Sequence, residues 1–216
     1  MRTLIITGGT GGLGEVVVPR TARDHRCVVL YRTERPEGAN VEAVRSDLTN
    51  ESSVRAALEE AVQRFGAPYG LVHLAGGYAG GNVSQTSGET WRQMMGLNAD
   101  SSFFVIRHVL AHMRRDEPGR IIAISSAATR TKLAGAAAYT VSKSALNVLI
   151  ELTAAELEGS GITANAILPD SLDTPATRKA MPEARLVPLD RVAETILFLL
   201  SDAAASINGA LIPLEG

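Results

Sequence analysis

Short apolar runs alternate along this chain with longer stretches whose apolar residues recur every three or four positions. Leu4-Ile5-Ile6 is a compact apolar run that stops at a glycine-rich turn, and Gly12 to about Asp24 then reads as helix. Cys27 to Tyr31 is a second apolar run, and Val41 to Ser46 a weaker third. Asn50 or Ser52 stands where a cap is needed, ahead of Val54, Leu58, Ala61, Val62 and Phe65 at helical spacing. Leu71 to Leu74 is the next strand, inside an uncharged stretch from Phe65 to Gly88 that reads as strand plus loop. Glu89 to Arg115 reads as a long helix with a bend at Gly96, and Arg120 to Ile124 as a strand. Tyr139 to Glu158 reads as a helix closed by Gly159-Ser160-Gly161, and Ile162 to Leu168 as a strand stopped by Pro169. Asp190 to Leu200 completes the helices and Ala210 to Ile212 the strands.

Strands alternating with helices predict an α/β protein with a parallel sheet covered on both faces. One connection departs from this rule. Tyr31 to Val41, with Pro36 and Gly38 between them, is shorter than the roughly dozen residues a crossover helix requires. That helix is expected to be missing or reduced to a turn. No repeat, linker or composition break divides the chain, so residues 1–216 are expected to form one domain.

Composition narrows the class. The chain has 216 residues, 45% hydrophobic and 20% charged, close to the globular average. Its 21 basic and 23 acidic residues lack the basic excess of a nucleic-acid binder. Cys27 is the single cysteine, which excludes an internal disulfide framework and a Cys-rich zinc site. A reducing compartment, the cytoplasm, is expected. The first apolar run is too short for a signal peptide, and no stretch approaches the roughly 18 apolar residues of a membrane span.

The first candidate chemistry follows the first strand. Gly9-x-Gly11-x-x-Gly14 has dinucleotide-binding spacing, and Thr7-Gly8-x-x-x-Gly12-x-Gly14 overlaps it. Glycines let the backbone approach a pyrophosphate, and the following helix N-terminus offers it unpaired N–H groups. At the end of the second strand an acid suits the ribose hydroxyl of NAD and a base the 2′-phosphate of NADP. Arg32 occupies that end and Glu34 lies further out, so NADP(H) is favoured over NAD(H). Asp47 is either an acceptor for the adenine amino group or a turn or cap residue.

Tyr139 and Lys143 stand four residues apart on a helix, on one face. A cation beside a phenol favours the phenolate, so Lys143 is expected to lower the Tyr139 pKa and make it a proton donor near neutral pH. Ser125-Ser126 ends a strand at the sheet edge where ligands bind.

These motifs resemble the short-chain dehydrogenases/reductases over essentially the full length. The family's Thr-Gly-x-x-x-Gly-x-Gly is Thr7 to Gly14, its Tyr-x-x-x-Lys is Tyr139 and Lys143, its serine is Ser126, and its asparagine is Asn98. The resemblance implies a Rossmann-type doubly wound sheet of about seven strands. It implies Tyr139 as proton donor, Lys143 as pKa modifier and ribose ligand, Ser126 as carbonyl orienter, and Asn98 as anchor of a water-linked proton relay. The implied cofactor-binding set is Gly8, Thr10, Gly11, Gly12, Leu13, Gly14, Arg32, Asp47, Leu48, Ala75, Gly76, Gly77, Tyr139, Lys143, Pro169 and Thr174. Tyr78, Ala128, Leu133 and Leu172 are the expected substrate-lining residues, under a short lid from Pro169 to about Leu189. Two motifs depart from the family. Its Asn-Asn-Ala-Gly appears as His73-Leu74-Ala75-Gly76, and its Pro-Gly as Pro169-Asp170; both alter the nicotinamide pocket without removing a reacting group.

The segments Ala75 to Asn82 and Leu168 to Pro175, with Arg178 to Ala184 beyond, resemble the dihydropteridine reductases. In them an aromatic stands where Tyr78 does and would stack on a planar substrate. Arg32 and Ser126 favour reduction of a small carbonyl instead. A non-catalytic nucleotide sensor is a third reading, which retention of both Tyr139 and Lys143 disfavours. The helices containing Asn98 and Tyr139 correspond to the family's usual dimer surface. Their alanines Ala136 to Ala138, Ala154 and Ala155 would permit close approach, so a homodimer or homotetramer is expected. His73 reads as a core or pocket-wall histidine, Trp91, Met94 and Met95 as helix core with Trp91 also a candidate at the cleft border, and Cys27 as a small buried hydrophobe. Arg114 to Glu117 reads as a solvated helix end. His108 and His112 share a helix face but lack a zinc motif around them, so no metal is expected.

Overall fold

A computed structural model describes all 216 residues. The strands are β1 (Arg2–Thr7), β2 (His25–Tyr31), β3 (Val41–Arg45), β4 (Gly70–His73), β5 (Gly119–Ile124), β6 (Ile162–Pro169) and β7 (Leu211–Leu214). The helices are α1 (Gly14–Thr21), α2 (Glu51–Phe65), α3 (Gly88–Met94), α4 (Ser101–Leu110), α5 (Ala128–Thr131), α6 (Ala137–Glu156), α7 (Pro175–Ala180) and α8 (Leu189–Leu200). The seven strands form one parallel sheet in the order β3-β2-β1-β4-β5-β6-β7. It is a Rossmann-type α/β fold.

Successive strand side chains serve opposite faces. In β5, Ile121 and Ala123 join the core under α2, α4 and α6, whereas Ile122 and Ile124 join the core under α1 and α8. Both faces are therefore apolar, which explains why the strands read as continuous apolar runs and not as alternating ones. No helix joins β2 to β3, as the short connection predicts; Asn40 turns the chain there at φ 59°. Of the two capping candidates for α2, Asn50 is the cap, its side chain accepting from Ser53 N at 3.0 Å.

The predicted long helix from Glu89 to Arg115 is instead α3, a π-helical turn over Met95–Asp100 that includes Gly96, and α4, which ends at Leu110. Arg114 and Glu117 form an exposed ion pair beyond it. The short helices α5 and α7 carry too few residues to show a periodicity in sequence. No helix is long and apolar enough to cross a membrane.

Candidate active site

Because every strand is parallel, the loops after β1, β2, β3, β4, β5 and β6 all emerge at one edge of the sheet. Strand order reverses between β1 and β4, which in an open α/β sheet is where a ligand crevice lies. A cavity of about 290 Å³ at the opposite edge, between Met1, Arg2, Tyr69, Met113 and Arg114, shares no residue with this crevice.

The glycine loop lies at the reversal. Gly8 adopts φ 68° and a Cβ there would stand 2.7 Å from Ala75 N, while a Cβ on Gly14 would stand 2.4 Å from Gly8 O. The loop therefore closes tightly on itself and on the loop after β4. Gly11 and Gly12 are exposed, Thr10 is half-buried, and Leu13 is buried as the N-cap of α1. The Gly12 and Leu13 amides have no protein acceptor, leaving donors free for an anion.

Arg32 is exposed just past β2, as is Glu34. The Asp47 side chain is engaged locally: Oδ1 accepts from Thr49 N at 3.0 Å and from Thr49 Oγ1 at 2.7 Å. Those bonds, with a lesser contribution from Arg32, hold its carboxyl below the ordinary range. Leu48 packs on the core beneath α2. Pro169 is buried, and its carbonyl accepts from Ala127 N. Thr174 caps α7 and lies against Gly12, its Cγ2 only 3.5 Å from where a Cβ would be. The segment expected to form the lid is tied at its neck by paired backbone bonds between Ser171–Asp173 and Val187, and by Arg178–Asp173 at 2.7 Å.

The proposed chemistry sits beside that cradle. β5 delivers Ser126, whose Oγ accepts from Ala128 N at 3.2 Å. Tyr139 and Lys143 lie one turn apart on α6, Lys143 only 5% exposed. Lys143 Nζ donates to Ile124 O at 2.7 Å, with further N–H groups to spare. Burial draws its pKa down to about 8. The Asn98 side chain brackets Gly77, Oδ1 accepting from its N–H at 2.9 Å and Nδ2 donating to its carbonyl at 3.0 Å. Nδ2 also reaches Ser142 Oγ at 3.0 Å, and Ser142 donates to Tyr139 O. A Cβ on Gly76 would stand 2.8 Å from Asn98 Oδ1 and 2.9 Å from Lys143 Nζ, so any larger residue there would push these two side chains aside.

Several expectations are corrected. The Tyr139 phenol is not lowered by Lys143: burial raises its pKa, the Ser126 hydroxyl opposes the rise and Tyr78 adds to it. The ammonium is turned toward the Ile124 carbonyl instead. The Asn98 main-chain carbonyl accepts from Ser102 Oγ and keeps a second lone pair, so the expectation of Asn98 as relay anchor is left open. Tyr78 is 65% exposed and sits edge-on to Tyr139, ring centroids 5.0 Å apart. Leu133 is also exposed, but Ala128 is buried and Leu172 packs on the core beneath α8. Trp91 is exposed and outside the helix core, whereas Met94 is buried. Ala136, Ala138 and Ala154 are buried in their own chain and offer no surface to a partner. His108 pairs with Glu51 at 3.2 Å.

A family model described as short chain dehydrogenase matches residues 2–185. The chain belongs to the short-chain dehydrogenase/reductase family. It is an oxidoreductase of that family, whose members bind a nicotinamide cofactor. This dehydrogenase/reductase is 31% identical over 243 residues to the 2-(R)-hydroxypropyl-CoM dehydrogenase of Xanthobacter autotrophicus, covering 100% of this chain and 97% of that protein. It is 28% identical over 228 residues to the 3-oxoacyl-[acyl-carrier-protein] reductase MabA of Mycobacterium tuberculosis, covering 100% and 92%. A short-chain type dehydrogenase/reductase structure from Mycobacterium ulcerans superposes with a TM-score of 0.90 at 29% identity, covering 99% of this chain and 88% of that one.

Sequence reasoning missed three contributors. Ser142 and Ser102 are small polar residues on helices with no distinguishing spacing. The third is a bridge that ties the loop after β4 to the start of α6: Gly81 N donates to Gly135 O and Ala137 N to Gly81 O. Nothing local in the sequence signals that pairing.

Proposed function

We propose that this chain is an NADP(H)-dependent oxidoreductase interconverting a small carbonyl compound and its alcohol, with Tyr139 as general acid and base. The observation that carries the reading is the convergence of Tyr139, Lys143 and Ser126 at the C-terminal sheet edge, next to a loop with free amides. The residues present fit a dinucleotide. The Gly12 and Leu13 amides would take the pyrophosphate, Lys143 the nicotinamide ribose, Thr174 the carboxamide and Arg32 the 2′-phosphate. When bound, the nicotinamide supplies or accepts the hydride.

The rest is done by the chain's own groups. The Ser126 hydroxyl donates to the substrate oxygen, and the Tyr139 phenol gives that oxygen its proton during reduction. The phenol pKa lies above its ordinary value, so Tyr139 is protonated at neutral pH and ready to act as an acid. Oxidation needs the phenolate, so the oxidative rate is expected to climb with pH while the reductive rate stays flat below it. The relatives' names carry hydroxy and oxo substrates, which supports a secondary alcohol and ketone pair.

The exposed Tyr78 ring beside Tyr139 favours a second reading, reduction of a planar quinonoid dihydropterin. Turnover of small ketones and aldehydes with NADPH, set beside that pterin, tests both. Faster pterin turnover overturns the first reading, and tight NADPH binding with no turnover on either overturns both in favour of a sensor.

Cofactor choice has its own test. Arg32→Ala is expected to weaken NADPH roughly 10- to 100-fold, the worth of a charge-assisted hydrogen bond, and to leave NADH unchanged in a fluorescence titration. NADH binding as tightly as NADPH to the unaltered enzyme would make Glu34 the ribose ligand.

A homodimer or homotetramer is also proposed, on different residues from those first expected. Val141, Val148 and Leu152 on α6 and Phe103 on α4 are each 44% or more exposed. Such a stripe is an interface candidate. Sedimentation should give a multiple of the chain mass, and Leu152→Glu should shift it toward monomer. A monomeric unaltered protein would remove the proposal.

A further inference from the structure

His73 lies at the end of β4, wholly buried, in register with Thr7 at the end of β1. A buried imidazole needs a partner for each ring nitrogen. Nδ1 lies 2.8 Å from Thr7 Oγ1, and Nε2 lies 3.0 Å from Ser102 Oγ. The proton positions follow from what lies beyond. Ser102 has one hydroxyl proton, directed at the Asn98 carbonyl 2.5 Å away, which can only accept. Ser102 Oγ therefore offers His73 a lone pair, and Nε2 carries the ring proton. Nδ1 is then an acceptor, and the Thr7 hydroxyl donates to it. Thr7 Oγ1 in turn accepts from Ala75 N–H at 3.4 Å.

One directed chain of hydrogen bonds thus runs from the Ala75 amide through Thr7, His73 and Ser102 to the Asn98 carbonyl. The Asn98 side chain returns to the same loop at Gly77. Gly76, between these two anchors, lies against Lys143 Nζ.

We propose that His73 is a positioning residue: through Thr7 on one side and Ser102–Asn98 on the other, it clamps both ends of the Ala75–Gly77 loop against Lys143. A protonated imidazole has no acceptor for Thr7, so the clamp needs a neutral ring. Burial, aided by the Lys143 charge, holds the His73 pKa down at about 3. Lys143 is the one charged group acting on the ring; Thr7 on β1 and Ser102 on α4 face it as neutral hydroxyls. The effect on turnover rests on the Tyr139 reading above; the clamp itself does not.

The first test needs no variant. Imidazole 15N spectra of the unaltered protein should show one histidine as the neutral Nε2–H form throughout about pH 5 to 8, where an ordinary histidine titrates. Titration of His73 in that range, or an Nδ1–H form, overturns the proposal. The second test is Ser102→Ala, which cuts the link to Asn98 and leaves Tyr139, Lys143 and Ser126 untouched. Deuterium exchange at the Gly77 amide should accelerate, and kcat should fall roughly 10- to 100-fold at nearly constant KM, the range a small misplacement produces. His73→Gln, which can still donate and accept, should retain more of both than His73→Leu. Unchanged Gly77 exchange and kcat in Ser102→Ala overturn the clamp. Accelerated Gly77 exchange in a protein whose turnover does not depend on Tyr139 supports the clamp and overturns the Tyr139 reading.

Discussion

Tyr139→Phe is expected to lower kcat about 100- to 10,000-fold, the range that a positioned general acid supplies, with nucleotide affinity unchanged. The substitution deletes one hydroxyl and keeps the ring. Its edge-on contact with Tyr78 and its place on α6 therefore persist, and the loss belongs to the proton. The nearby groups are less suited to the transfer. Ser126 is an alcohol, and Lys143 donates to the Ile124 carbonyl from a buried position. The measurement is kcat for ketone reduction beside the Kd for NADPH. A variant that keeps more than about a tenth of its activity would mean that another group protonates the product. Tyr78, whose phenol lies beside Tyr139, would be tested next.

Lys143→Met is expected to abolish most activity and yet to stabilise the protein at neutral pH. Burial draws the native pKa from the ordinary 10.5 down to about 8. At 1.36 kcal/mol per pH unit, that difference is about 3 kcal/mol. Below pH 8 both the folded and the unfolded chain carry the ammonium, and the folded state bears the full cost of burying it. Between pH 8 and 10.5 the folded lysine has lost its proton and the unfolded one has not, so the cost is relieved as pH rises. Methionine has similar bulk and no charge. It forfeits the bond to the Ile124 carbonyl, about 1 kcal/mol, which leaves a net gain of about 2 kcal/mol. For a domain of this size that raises Tm by about 4–8 °C. The gain should shrink steadily above pH 8. A lower Tm at pH 7, or a difference independent of pH, would show that the ammonium is not held at the expense of stability. Both outcomes are read from thermal melts of the two proteins across that pH range.

Local features of this protein were legible because they depend on spacing alone. A run of apolar residues buried on both faces marks a central parallel strand wherever it occurs, and β1, β2, β4, β5 and β6 all carry one. Two residues four apart share a helix face, so Tyr139 and Lys143 were paired before any fold was known. Glycines crowded between a strand and a helix announce a backbone that must turn in too little room, and Gly8 and Gly14 have none to spare. The missing helix between β2 and β3 followed from counting residues.

What spacing does not encode is which strand end meets which helix, and in what direction a long side chain points. Thr7 and His73 are 66 residues apart, and His73 and Ser102 are 29 apart; both pairs meet only because β4 lies beside β1 and α4 covers that edge. Lys143 was expected to act on Tyr139, yet the end of β5 offers its ammonium a buried carbonyl, and a desolvated cation takes the nearest acceptor. Of the alanines expected at a partner surface, Ala136, Ala138 and Ala154 lie in the chain's own core, Ala137 is half-buried and Ala155 exposed, and valine and leucine on the same helix lie outside the core. Spacing along the chain was thus enough for the central strands, the crowded glycine turn and the pair on α6, but not for the break of the Glu89–Arg115 stretch into α3, a π turn and α4, nor for α5 and α7. Only the fold brings Thr7, His73 and Ser102 together and leaves Val141, Val148 and Leu152 exposed, because strand order and burial depend on residues far apart in the chain.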